Sequence, residues 1–155
     1  MAKRSARLAP RPESRKPEVL ILSEQKACSY EPSGREVCIS ITNPDGPRPS
    51  LSGRFAAVLR LTFTDIAKPS PFKWDLLFNE DHARQIIDFV KEWDGVERIV
   101  IHCMAGQSRS PGVAMGLCEL FAWDLADLEQ RYPLWNTWVR QELVRIGKEL
   151  LDGQK

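Results

Sequence analysis

Apolar positions along the chain repeat in two ways: as short unbroken runs, and at helical spacing. Glu18-Val-Leu-Ile-Leu22, Val37-Cys-Ile-Ser-Ile41, Ala57-Val-Leu-Arg-Leu61 (continuing towards Phe63) and Ile99-Val-Ile101, which ends at His102-Cys103, are runs of strand composition bounded by polar or turn-rich segments. Ala83, Ile86, Ile87, Val90 and Trp93 instead recur at helical spacing, which predicts a helix over 80–93. Asn79 stands as its N-cap, Glu80 and Asp81 suit its first turn, and Gly95 stops it. His82, in that first turn, reads as a surface or capping histidine. A second helix starts after Arg109 and carries Val113, Met115, Leu117, Cys118 and Phe121; it is apolar over most of its surface, as a helix buried against a sheet must be. Asp124 would cap a short helix through Arg131, and Pro133 breaks the chain. Trp135–Leu151 forms the last helix, with Trp135, Val139, Leu143, Ile146 and Leu150 on one side.

The segments between are of three kinds. Residues 23–35 are polar and turn-rich, and Asn43-Pro-Asp-Gly-Pro47 is a cluster of turn residues. Asp65–Phe78 is long for a connection inside one domain and carries Pro69, Pro71, Phe72 and Trp74, the marks of a working loop. Strands separated by helices or long connections predict an α/β layer fold with parallel central strands.

At 155 residues, 43% hydrophobic and 28% charged, the composition suits one soluble domain with a proper core. No apolar run reaches a membrane-spanning length of about 18 residues, and no apolar h-region of a signal peptide is visible. Cys28, Cys38, Cys103 and Cys118 form no CxxC pair, so a reducing cytoplasm is expected. Cys28, Cys38, Met115 and Cys118 read as packing residues. Residues 1–16 hold six basic side chains against Glu13, a net +5 that leaves −4 for the rest of a chain of formal charge +1. This divides the chain into a disordered basic tail, 1–17, and a single domain, 18–155. The body has no basic stripe with interleaved aromatics, which argues against nucleic acid as a partner, and no stable membrane association is expected. The sequence leaves the oligomeric state open.

The stretch 98–121, RIVIHCMAGQSRSPGVAMGLCELF, carries the chemistry. A tight loop between a strand and a helix N-terminus turns successive backbone N–H groups inward as an anion nest, to which the helix dipole adds. The candidate donors are the amides of Met104, Ala105, Gly106, Gln107, Ser108 and Arg109. Gly106 permits a backbone conformation that other residues resist, and Pro111 suits the first helical turn. A cysteine in such a positive field is favoured as thiolate. Arg109 offers a planar fork for two oxygens of a tetrahedral dianion. Thiolate, cradle and clamp together describe phosphoryl transfer to the sulfur of Cys103.

HCMAGQSRSP resembles the signature loop of the cysteine-dependent protein tyrosine phosphatases, in particular the small dual-specificity, prokaryote-type enzymes, with their His-Cys-x5-Arg-Ser/Thr pattern. The strand before the loop and the helix after it make the match specific. LRLTFTDI and PLWNTWVRQEL are softer echoes of the lead into the acid loop and of the final helix start. The resemblance covers roughly residues 18–150. It implies a short, mostly parallel central sheet of four to five strands with helices on both faces, and the signature loop at the carboxyl end of a central strand, where open α/β sheets bind ligands. It also implies hydrolysis of phosphate monoesters through a phospho-cysteine, with no metal or cofactor.

That mechanism needs a carboxylic acid opposite the sulfur, an aspartate on a mobile upstream loop in the resembled family. Asp65, Asp75 and Asp81 lie in the right region. Asp81 reads as a capping residue of a helix first turn. Asp65 directly follows a strand at its carboxyl end, on the edge where the signature loop opens, and is preferred on that ground; Asp75 remains the alternative, its spacing to Cys103 nearer that of the small animal enzymes. Ser110 can donate to the Cys103 sulfur, His102 can orient the loop, and Ser108 can bond within it. Met104, Ala105 and Gln107 are uncharged, whereas a site for several phosphates would be expected to show lysines there. That favours a substrate with one phosphate, and the resemblance implies a phosphorylated protein, foremost at tyrosine and also at serine or threonine. The alternatives are a small phosphate ester (nucleotide or sugar) or a phosphate-binding module without turnover.

Overall fold

Parallel strands buried on both faces need near-continuous apolar runs, and the four short runs supply them. The computed structural model describes residues 16–125 and 127–153. Its elements are β1 (Glu18–Ser23), α1 (Glu24–Ser29), β2 (Glu36–Thr42), β3 (Ala57–Thr62), α2 (Glu80–Glu92), β4 (Arg98–Cys103), α3 (Arg109–Phe121), α4 (Leu128–Arg131) and α5 (Thr137–Asp152). The sheet is parallel throughout, in the order β1-β4-β2-β3. The register sets Ser23 beside Cys103 and Ser40 beside His102, so the carboxyl ends of all four strands share one edge.

Alternation along the strands divides the core in two. Val37, Ile39, Ile41, Leu61, Ile99 and Ile101 face the larger cluster, which α2, α3 and α5 cover with residues such as Ile86, Val113 and Leu143. Cys38, Val100, Leu20, Leu22 and Val58 face the other way, onto Tyr30 after α1 and onto Leu51 and Phe55 of the 43–56 connection. The fold is therefore α/β, with four strands and helices flanking the sheet. Helix α3 crosses α5 closely: a Cβ on Gly112 would lie 2.8 Å from the Asn136 carbonyl oxygen, and one on Gly116 2.8 Å from Leu143 Cδ2.

Several local expectations change. The polar 23–35 segment contains α1, started by Ser23, whose side chain accepts from the Lys26 amide. The helix expected from Asp124 to Arg131 is the single turn α4, with Asp127 at its N-cap position. Trp135 lies outside the last helix, which Asn136 caps by accepting from the Val139 amide at 2.9 Å. Cys28 is exposed and is not a packing residue, whereas Cys38 is fully buried. His82 is a capping residue as expected, but a buried one. Residues 1–15 of the expected basic tail lie outside the described residues. Lys16, assigned to that tail, donates to the Ala122 carbonyl at 2.6 Å. No helix among the described residues is long and apolar enough to cross a membrane.

Candidate active site

The site is built where β4 ends. Cys103 is its last residue, residues 104–108 form a succession of bends, and α3 begins at Arg109. Gly106 is buried and takes φ +70°, a left-handed conformation that favours glycine. A Cβ there would meet the Ser23 amide nitrogen at 2.8 Å and the Leu22 carbonyl carbon at 2.9 Å, because the loop lies directly on the end of β1. The Met104 carbonyl accepts from the Glu24 amide at 3.1 Å, and the Ser108 carbonyl accepts from the amides of Gly112 (3.1 Å) and Asn136 (2.9 Å). With its carbonyls so held, the loop keeps the amides of Ala105 to Arg109 without an acceptor among the described residues. Unpaired amides gathered in a non-helical turn make an anion-binding concavity.

The sulfur sits within this frame. Cys103 is 2% exposed, and its Sγ lies 3.2 Å from Ser110 Oγ and accepts from the Ser110 amide at 3.5 Å. The other two buried thiols have no such donors among the described residues. Burial pushes Cys38 up to about 12 and Cys118 up to about 11, which keeps both protonated and inert.

Arg109 is 4% exposed. Its Nη1 donates to Asn43 Oδ1 at 2.8 Å and to the Phe63 carbonyl at 2.9 Å, bonds that reach the ends of β2 and β3. Its Nε is buried with no hydrogen-bond partner among the described residues. Nε and Nη2 form the edge of a guanidinium that meets two oxygens of a carboxylate or phosphate. The protein thus fixes one end of the fork and leaves Nε, on its bidentate edge, buried without an acceptor among the described residues, which costs free energy unless a ligand supplies one.

His102 lies behind the loop, fully buried. Its Nδ1 donates to the Cys103 carbonyl at 3.5 Å, and Ser40 Oγ lies 2.6 Å from Nε2. A carbonyl only accepts, so the ring hydrogen belongs on Nδ1 and Ser40 donates to Nε2. Burial, with the nearby Arg60 and Arg109 charges adding to it, holds His102 below its ordinary value and keeps it neutral despite the opposing carbonyl contact.

The three aspartates part company. Asp65 Oδ1 accepts from Ser108 Oγ at 2.7 Å and from Asn136 Nδ2 at 2.9 Å, which ties it to the signature loop. Asp75 Oδ2 accepts from Ser70 Oγ at 2.6 Å within its own loop. Asp81 lies in the first turn of α2, where its amide donates to the capping Asn79 side chain. The 65–78 loop is closed at its base by the Thr64 amide on the Leu76 carbonyl (2.7 Å) and the Leu76 amide on Thr64 Oγ1 (2.8 Å). Met104 and Gln107 are exposed on the signature loop. Three polar residues of this region had no sequence signal beyond turn or cap chemistry: Asn43 on Arg109, Ser40 on His102, and Asn136 on Asp65.

No protein-family profile and no curated protein matches the chain. Solved structures do. The chain is similar to human DUSP28 at a TM-score of 0.55 and 16% identity, over 90% of this chain and 97% of that one. It is similar to a single-substitution variant of human DUSP28 at 0.54 and 18%, over 94% and 100%. It is similar to Tk-PTP in its active form at 0.50 and 19%, over 88% and 93%. The chain therefore has the protein tyrosine phosphatase-type fold, the one that HCMAGQSRSP implied.

Proposed function

We propose that this protein is a phosphatase that hydrolyses phosphate monoesters through a phospho-cysteine intermediate, with phosphotyrosine on proteins as its principal substrate and phosphoserine or phosphothreonine accepted. The observation that carries this reading is the buried, unpartnered Nε of Arg109 beside a loop of unpaired amides and the Cys103 sulfur. An oxyanion of tetrahedral shape satisfies all of these donors together.

In the first step the Cys103 thiolate attacks phosphorus in line, the bond to the ester oxygen breaks, and Asp65 gives that oxygen its proton. In the second, Asp65 takes a proton from water as its oxygen attacks phosphorus; the P–S bond breaks and the thiolate returns. Ser110 Oγ, 3.2 Å from the sulfur, stabilises the thiolate as attacker and leaving group. The equatorial oxygens stay on the amides and on Arg109 throughout. The uncharged Met104, Ala105 and Gln107 support a substrate with one phosphate.

Hydrolysis of an aryl phosphate tests the reading. Cys103→Ser is expected to lose turnover while still binding tungstate, and Asp65→Asn to lose about 10²–10⁴-fold in rate on an unactivated ester. Turnover that survives Cys103→Ser overturns the mechanism. Tungstate binding by a wild-type chain that turns over no ester identifies a phosphate-binding module instead. Comparison of phosphotyrosyl peptides with nucleoside and sugar monophosphates decides the substrate class.

A further inference from the structure

Asn136 is 5% exposed and uses every polar group it has. Its amide donates to the Ser108 carbonyl at 2.9 Å, on the signature loop. Its Oδ1 accepts from the Val139 amide at 2.9 Å, as the N-cap of α5. Its Nδ2 donates to Asp65 Oδ1 at 2.9 Å and to the Ile66 carbonyl at 3.0 Å. The side-chain orientation is forced, since an amide N–H faces one end and two pure acceptors the other. A helix cap needs only an acceptor oxygen, which Ser or Asp provides as well as Asn. The amide nitrogen is surplus to the helix, and both its hydrogens go to the Asp65 segment.

We infer that Asn136 is a positioning residue for the acid, acting with Ser108 as a clasp that selects the working oxygen of Asp65. Both clasp donors fall on Oδ1, while Oδ2 accepts nothing among the described residues. An oxygen that already receives two donated hydrogens is a poor seat for a third proton, so Oδ2 carries the proton that passes to the leaving oxygen and later takes one from water. The clasp also couples the acid to the sulfur's cradle, because Ser108 and Asn136 both belong to, or bond, the loop that holds the phosphate. This inference rests on the reading of Asp65 as the acid.

Asn136→Ser tests it, because serine keeps the cap and removes the Nδ2 donor. kcat/KM is measured over phosphate esters whose leaving groups range from an activated phenol to an unactivated alcohol. Expected is a loss of at least about tenfold on the poorest leaving group, part of the ~10²–10⁴ that a general acid supplies, and little loss on the activated phenol. Equal losses across the series would show a merely structural role and overturn the inference. Asn136→Asp, which also keeps a cap oxygen, sets a carboxylate against Asp65; the basic limb of the kcat/KM profile is expected to move to higher pH, and an unmoved limb counts against the clasp. Asp65→Asn is run alongside. If it shows no leaving-group dependence, the acid assignment itself falls. If it does while both Asn136 variants match wild type, only the clasp falls.

Discussion

Arg109 shows what a buried cation requires of its neighbours. One nitrogen is fixed by a side-chain amide from the end of β2 and a carbonyl from the end of β3, and Nε on the opposite edge, which the proposed mechanism turns to the phosphate, is buried without an acceptor among the described residues. Asn43 is then as much a part of the site as the signature loop, because it aims the fork. Removing the amide in Asn43→Ala deletes a hydrogen bond to a charged group, worth about 1.5–3 kcal/mol. The expected result is tungstate affinity lowered by at least about tenfold, with α/β circular dichroism unchanged; calorimetric titration checks it, and undiminished affinity would show that the Phe63 carbonyl suffices. At this scale the sequence was half legible. Cys103, Arg109 and Ser110 are named by spacing within one loop, a local pattern. Asn43 and Asn136 act across 66 and 71 positions of chain, on partners that only the folded sheet brings near, so their letters read as a turn and a cap.

The junction of β4, the signature loop and α3 sets the site, and α5 holds that junction from behind. Gly112 in the first turn of α3 lets the Asn136 backbone approach, and Gly116 one turn on faces Leu143. The two glycines differ in what a methyl would meet. At Gly112 the obstacle is a backbone carbonyl that cannot rotate away, beside the residue that holds Asp65; at Gly116 it is the side chain of Leu143, its Cδ2 at 2.8 Å and its Cγ and Cβ at 3.1 and 3.2 Å. Gly112→Ala is therefore expected to lose about 1–3 kcal/mol of stability and to reduce activity, while Gly116→Ala, helped by alanine's better helix propensity of about 1 kcal/mol, is milder in both. Urea unfolding and aryl phosphate turnover compare them, and the reverse order would refute this account of the helix crossing. Strands were legible as short, near-continuous apolar runs, and the long helices as apolar residues at helical spacing. The six-residue α1 was not, since EQKACS offers the core only Ala27 and its start depends on the Ser23 cap at the end of a strand.

Across the whole molecule the parallel sheet separates two polar ends. The carboxyl edge gathers the site; at the other edge Arg98 binds Glu18 from β1 and Glu36 from β2, with Tyr30 bonded to both Arg98 and Glu36. Glu36 is 4% exposed, and burial raises its pKa, but the Tyr30 hydroxyl, the Ser33 amide and the Arg98 charge outweigh that and hold it below its ordinary value. On the larger core, burial holds His82 below its ordinary value against the opposing pull of the Thr62 carbonyl and Asp81, and the neutral ring closes the α2 capping box by accepting from the Asn79 amide at 3.0 Å. His102 is depressed in the same sense. For each of these groups the unfolded chain takes up its proton at a higher pH than the folded one, so stability falls as pH falls. The histidines act first, below their unfolded value of about 6.5, and Glu36 acts below the usual carboxylate range of about 4.3. Thermal unfolding from pH 8 to 3 is expected to show this two-stage decline. In His82→Gln the glutamine can keep the capping-box acceptor but does not titrate. The slope between pH 6.5 and 5 should then become shallower, with His102 supplying what remains, and the later fall should persist. An unchanged slope would mean that His82 takes up its proton in the folded chain as readily as in the unfolded one, and that the box at the start of α2 does not depend on a neutral ring.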